Sequence, residues 1–193
     1  MKYYLSIDAG TSVIKTVIFD INFKQIISNK IDNPVITDSF GKSELNMKDF
    51  WDLTSKCIKL TIKKSKINNK NILGVGITGN MVGLWPIDKH NRPVRNAILW
   101  NDTRSSKIFN NRNIYSKIYK ITGSIVQYGC TIPILKWMTK YDRKNLNKIK
   151  YILTCKDWIR FNLTNELYND ETEVSVFPGD IKNKKLSIKV FKI

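Results

Sequence analysis

Acidic residues are scarce in this chain, histidine is nearly absent, and cysteine is too sparse to cross-link it. Its three cysteines, Cys57, Cys130 and Cys155, lie far apart and form no CxxC pair. That pattern gives neither a disulfide framework nor a zinc site, and it fits a reducing compartment. No apolar stretch approaches the roughly 18 residues that a membrane span needs. The opening MKYYLSI has one basic residue and a short apolar run before Asp8, which is unlike a signal peptide. The cytoplasm is the expected compartment. The one histidine, His90, sits in a polar turn over 88–93 and reads as solvated surface.

The shortage of acids, 16 against 33 lysines and arginines, leaves a net charge of +17. Such a balance invites a nucleic-acid reading. The distribution argues against it. Lysines occur singly through nearly every segment, with small clusters at Lys63-Lys64-Ser65-Lys66 and Lys182-Asn183-Lys184-Lys185. No stretch alternates arginine with exposed aromatics, and a chain generally rich in Lys, Ile and Asn explains the charge. Positive charge still favours a phosphate-bearing ligand. Eight Phe, eight Tyr and five Trp in 193 residues make a folded chain, one good-sized domain or two small ones.

Residues 2–7 and 13–19 read as strands around a tight Gly turn, and a second turn at 20–23 leads into a strand over 25–30. Turns this short make the three antiparallel, because a parallel crossover needs a dozen or more residues. Met47, Phe50, Trp51, Thr54, Cys57, Ile58 and Thr61 recur at helical spacing to about Lys66, with Asn46 as the N-cap. Strands are expected over 72–78, 84–87, 97–100 and 151–154. Helices are expected over 103–119, behind Asp102 as cap, and over 133–141 and 156–163. A turn at Pro178-Gly179 precedes a last element over 182–193, and the sequence reads as cut there rather than finished. The order points to an α/β domain, a β-meander followed by a mixed sheet flanked by helices.

Three clusters carry candidate chemistry. In Asp8-Ala9-Gly10-Thr11-Ser12, a tight turn between strands points backbone N–H groups outward into a concavity suited to phosphate oxygens. Gly10 permits close approach and any positive φ, Thr11 and Ser12 add hydroxyls, and Lys15 adds charge nearby. A carboxylate there repels phosphate unless a cation lies between, so Asp8 makes sense as a holder of Mg2+. On this turn alone a plain hairpin with a solvated acid remains equally open. The second cluster, Asn80-Met81-Val82 within TGNMVG, and the third, Trp100-Asn101-Asp102 with Arg104, follow strand ends, where open α/β sheets line their ligand crevice. Trp100 offers an apolar face to a carbon skeleton, and Asn101, Asp102 and Arg104 offer partners to hydroxyls. Taken singly, each also fits a plain role as core, cap or surface charge.

DAGTSVIK, TGNMVGLWPID and RPVRNAILWNDTR, in this order, resemble the FGGY carbohydrate kinases, the family of xylulokinase and glycerol kinase. TIPILKWM and CKDWIRFNLTNELYNDETEVS resemble that family's later stretches, so the likeness runs the length of the chain. It implies an actin-like, ribonuclease-H-like lobe in a two-lobed kinase, with ATP and Mg2+ meeting a sugar or polyol in the cleft between lobes. The acid matching Asp8 would work with metal and phosphate, and the positions matching Met81, Val82, Trp100 and Asp102 would face the substrate. The partners implied are that small molecule and a C-terminal lobe in the same or a second chain; an oligomer stays open.

Departures from the family matter too. Xylulokinases carry a histidine where Val82 stands, and glycerol kinases an Arg-Glu pair at Met81-Val82, which implies a substrate other than D-xylulose or glycerol. The resemblance places the catalytic base beyond Ile193. Asp157 and Asp170 do not match that motif, no residue here takes the role, and the chain alone is expected to be inactive. Two competing readings are a non-catalytic binding remnant and a ribonuclease-H-like nucleic-acid domain. The latter needs several carboxylates converging on two metals, whereas Asp8 is followed by no acid until Asp20.

Overall fold

The computed structural model describes residues 1–108, 111–175 and 177–192. Phe109 and Asn110, within the helix expected over 103–119, and Ile193, the end of the last expected element, lie outside the described residues, as does Val176.

β1 (Tyr3–Ala9), β2 (Val13–Asp20) and β3 (Gln25–Asp32) form the antiparallel meander. Alternation decides which face is covered. Leu5, Ile7 and Ala9 of β1 and Ile14, Thr16 and Ile18 of β2 are buried. Asp8 and Lys15 lie on the opposite, exposed face. One expectation is corrected here. Asp8 does not sit in the turn: it is paired within β1, opposite Lys15 of β2, and the turn is only Gly10 to Ser12.

Two short strands, β4 (Ile36–Thr37) and β5 (Ser43–Leu45), precede helix α1 (Met47–Ser65). The Asn46 side chain caps α1 by accepting from the N–H groups of Lys48 and Asp49, an arrangement worth about 1 kcal/mol. Met47, Phe50, Thr54, Cys57 and Thr61 form its buried stripe. Phe50 meets the Trp85 ring edge-on at 5.0 Å. β6 (Ile72–Gly79) then pairs with β1 in parallel, giving the mixed order β3-β2-β1-β6. β6 and β3 are the outer strands of this sheet among the described residues. Leu73 and Val75 are about half exposed, and a Cβ on Gly76 would meet nothing within 4 Å.

Strands β7 (Trp85–Ile87) and β9 (Tyr151–Leu153) pair antiparallel, while β8 (Ala97–Ile98) joins β4 and β5 in a third small sheet. Leu84 and Ile98 exchange backbone hydrogen bonds, at 2.8 and 2.9 Å, and so lock the segment before β7 onto β8. The expected strand over 97–100 is shorter than its apolar run, because Trp100 has already turned out of the sheet. The expected helix over 103–119 is replaced by a 3-10 turn at Arg104–Lys107 and by α2 (Arg112–Thr122), which Asn111 caps. α3 (Thr131–Tyr141), α4 (Arg143–Leu146) and α5 (Cys155–Thr164) follow. Thr154 and Asp157 close a capping box at the start of α5. Gly179 lies in a strand rather than a turn: β10 (Gly179–Asp180) pairs with β11 (Lys185–Leu186), and α6 (Ile188–Phe191) ends the described chain.

Candidate active site

Parallel strands β1 and β6 end together at Ala9 and Gly79, which places both strand-end clusters on one edge of the sheet. The N–H of Asn80 donates to the Ala9 carbonyl at 2.9 Å, and its carboxamide nitrogen reaches the same oxygen at 3.3 Å. The start of α5 backs onto this edge. A Cβ on Gly79 would come within 2.8 Å of Cys155 Sγ, so only glycine lets the helix sit there. Burial pushes the Cys155 thiol far up, which leaves it inert as a nucleophile.

The turn after β1 is built tightly. Gly10 N–H donates to Val13 O at 3.0 Å, and a Cβ on Gly10 would stand 2.9 Å from that oxygen. Close approach, not a positive φ, is therefore what requires this glycine. Gly10 N–H closes the turn and does not join the outward-facing groups. Among the described residues, the N–H groups of Thr11 and Ser12 have no hydrogen-bond acceptor. The carbonyls of the same turn are all engaged by one residue. Asn33 is buried, its carboxamide donates to Gly10 O at 3.2 Å and Thr11 O at 2.8 Å, and its N–H donates to Ser12 O at 2.8 Å. Sequence reasoning missed Asn33; the Asn-Pro dipeptide it forms with Pro34 is the only local mark it carries.

Asp8 is exposed, and among the described residues no hydrogen bond or ion pair holds its carboxylate. Lys15 and Thr78 flank it on the adjoining strands.

The third cluster reaches back to the first. Trp100 Nε1 donates to Thr11 Oγ1 at 3.0 Å, with the ring about half exposed. Its backbone is pinned by the segment before α3, where a Cβ on Gly129 would overlap the Trp100 carbonyl oxygen at 1.6 Å. Met81 is exposed and Val82 half-buried beside this cluster's strand. Gly83 has φ of 101°, and a Cβ there would meet Ile98 O at 2.4 Å.

Two of the expected substrate-facing residues, Asp102 and Arg104, are bonded within the protein. Asp102 is only 3% exposed. Its carboxylate accepts from Ser43 N–H at 2.9 Å and from Arg104 N–H and guanidinium at 2.7 to 3.1 Å. Arg104 also donates to Glu44 at 2.6 Å and stacks over Trp137 at 4.6 Å. Burial works against its charge, but Asp102 and Glu44 more than offset that and raise its pKa. Asp102 and Arg104 therefore hold the loop in shape. The organiser is Glu44, buried on β5 and bound also by Arg95 and Asn96, and sequence reasoning did not single it out. Asn101 Oδ1 accepts from Ser43 Oγ at 2.7 Å, and among the described residues its amide nitrogen has no partner.

Residues 3–193 match the FGGY family of carbohydrate kinases, N-terminal domain. A probable L-xylulose kinase of Haemophilus influenzae is 35% identical over 178 residues, covering 91% of this chain and 37% of that protein. A xylulose kinase of Bacillus subtilis is 30% identical, with 91% and 36% covered. The chain thus spans little more than a third of the length of these relatives. Among solved structures, a ligand-bound xylulose kinase of Lactobacillus acidophilus superposes with a TM-score of 0.90 at 25% identity, covering all of this chain and 39% of that one. The gluconate kinase of the same organism gives 0.89 at 25% identity, with 99% and 39% covered. The mixed sheet flanked by helices is accordingly the actin-like fold of sugar kinases, and this chain belongs to the FGGY family of carbohydrate kinases, to its N-terminal domain.

Proposed function

We infer that this chain is the sugar-side part of a cytoplasmic, ATP-dependent carbohydrate kinase that transfers the γ-phosphoryl group to a hydroxyl of a pentulose or polyol. The carrying observation is the Thr11–Trp100 hydrogen bond, which puts a loop with free N–H groups beside a half-exposed indole face. Phosphate and carbon skeleton would lie side by side there, as in-line transfer requires.

The residues present fit Mg2+. Among the described residues no three His, Cys, Asp or Glu side chains group around a metal position. One exposed, unpaired carboxylate, Asp8, suits an ion that keeps most of its waters and takes its remaining ligands from phosphate. Bound there, the ion would neutralise phosphate charge. Thr11 and Ser12 would bind phosphate oxygens through N–H and hydroxyl groups, with Lys15 adding charge from the next strand. Trp100 would cover the sugar's carbon face, and Asn101 and Asn80 would meet its hydroxyls. Among the described residues, buried Asn80 Oδ1 has no hydrogen-bond partner, as an acceptor awaiting a ligand would. Val82 offers no hydrogen bond to a hydroxyl, which favours a substrate other than D-xylulose or glycerol. The general base and the adenine contacts would come from the rest of the protein.

The test is ADP release by the product of the whole reading frame that carries these residues, assayed with pentuloses, tetruloses and polyols. Turnover with one of them, absent from the 193-residue chain alone, is the expected result. A folded product without turnover on any of them overturns the kinase reading and supports binding without catalysis.

A further inference from the structure

We propose that Asn33 is the positioning residue that turns the Gly10–Ser12 loop into an anion-binding surface. A peptide unit is planar and trans, so its C=O and the following N–H point in opposite directions. Asn33 draws the Gly10 and Thr11 carbonyls to itself with its carboxamide and the Ser12 carbonyl with its own N–H. Each carbonyl drawn inward turns the next N–H outward. The N–H groups that follow the two carbonyls held by the carboxamide, on Thr11 and Ser12, have no acceptor among the described residues. Successive N–H groups aimed into open space form the concavity that binds phosphate oxygens.

Among the described residues, no other group holds the loop this way round. Its other anchors among the described residues are the Gly10 N–H to Val13 bond, which closes the turn, and the Trp100 indole on the Thr11 hydroxyl. Neither engages a carbonyl of Gly10, Thr11 or Ser12. Asn33 is buried, just past the end of β3, and touches no ligand itself. An asparagine suits the place because two carbonyl acceptors need two N–H donors from one short planar group. Aspartate has the same shape and no donor, so it would face the two carbonyls with like partial charge and release them.

This inference rests on the phosphate-site reading of the same loop, and the experiment separates the two. The 15N-labelled chain is titrated with pyrophosphate, following the Thr11 and Ser12 amide signals and the Trp100 indole N–H. In the wild type both amides shift saturably. In Asn33→Asp and Asn33→Ala the pyrophosphate affinity falls by about tenfold or more, and the Trp100 indole signal moves before any ligand is added, while signals of β1 to β3 stay dispersed. Asn33→Ser keeps one hydroxyl donor and is expected to bind with intermediate affinity. It decides the matter should the other two fail to fold. No response in the wild type overturns the phosphate site and the role of Asn33 together. A wild-type response retained at full affinity in the folded Asn33 variants overturns the role of Asn33 alone.

Discussion

Trp100 and Thr11 are 89 positions apart in sequence, and the indole N–H of one donates to the hydroxyl of the other at 3.0 Å. The bond fixes which way the Thr11 hydroxyl proton faces. With its oxygen occupied by the indole donor, the O–H is left to donate outward. Trp100→Phe keeps the ring and removes the donor. In the whole-length kinase it is expected to lower kcat/KM roughly 3- to 10-fold, on the scale of one hydrogen bond. In a Thr11→Val background the same change should do almost nothing, because the bond is already gone. Fully additive effects in that cycle would show that the two residues act separately.

Asp8 is exposed and unpaired, so its removal tests function with little structural cost. Asp8→Asn should leave the unfolding free energy within about 0.5 kcal/mol. It should cut turnover by roughly 10²-fold or more and raise the Mg2+ concentration needed for half-maximal rate. Turnover near that of the wild type would remove Asp8 from the metal site.

Two glycines make an opposed pair for a stability measurement. Gly83 combines φ of 101° with a Cβ position 2.4 Å from Ile98 O, whereas Gly76 has nothing within 4 Å. Gly83→Ala is expected to cost ~2–4 kcal/mol in urea unfolding. Gly76→Ala is expected to be neutral or to stabilise by up to ~1 kcal/mol through the unfolded chain. Equal effects at the two positions would contradict the geometry around Gly83.

Glu173 and Asp170 both pair with Lys156, and they respond to pH with opposite signs. Burial pushes the Glu173 pKa above 4.5, so the native state holds its proton more tightly than the unfolded chain. Its contribution to stability is complete below pH 4.5 and fades as pH rises through the native pKa. Hydrogen bonds from Lys156 and then Thr172 hold Asp170 below 3.8, so its contribution is present above that pH and is lost on acidification. Glu173→Gln should gain thermal stability over the wild type as pH rises from 4.5 toward 7, whereas the deficit of Asp170→Asn should be steady over that range and fade as pH falls below 3.8. Melting curves at several pH values check both, and a Glu173→Gln advantage that is constant with pH refutes the burial argument.

The long elements were legible in the sequence because local pattern alone decides them. The meander follows from alternation and short turns, and α1 and α5 follow from helical spacing. The two- and three-residue strands β4 and β5 were not legible, since pairing with each other and with β8, not local alternation, defines them. The helix expected over 103–119 failed for a similar reason. The Arg104 guanidinium donates to Glu44 at 2.6 Å and Ser105 Oγ is tied to Tyr128 O at 2.8 Å, so the first turn is spent on tertiary bonds. The strand-end rule found Thr78 to Val82 and Trp100. It could not separate Trp100, which stays half open, from Asp102 and Arg104, which Ser43 and Glu44 on the neighbouring strand β5 draw inward.

The outer strand β6 carries a practical consequence. Its sequence, ILGVGITG, has no lysine, no proline and no charge to discourage a neighbour, and half of its apolar side chains meet water at the strand's open rim. Such a rim is a template for another strand in any register that supplies alternating apolar groups. Handled in isolation, the chain is therefore expected to self-associate with rising concentration despite its charge of +17. Because that association runs through backbone N–H and C=O groups, added salt should promote it rather than dissolve it. A single lysine at Val75 should be enough to keep the chain dispersed.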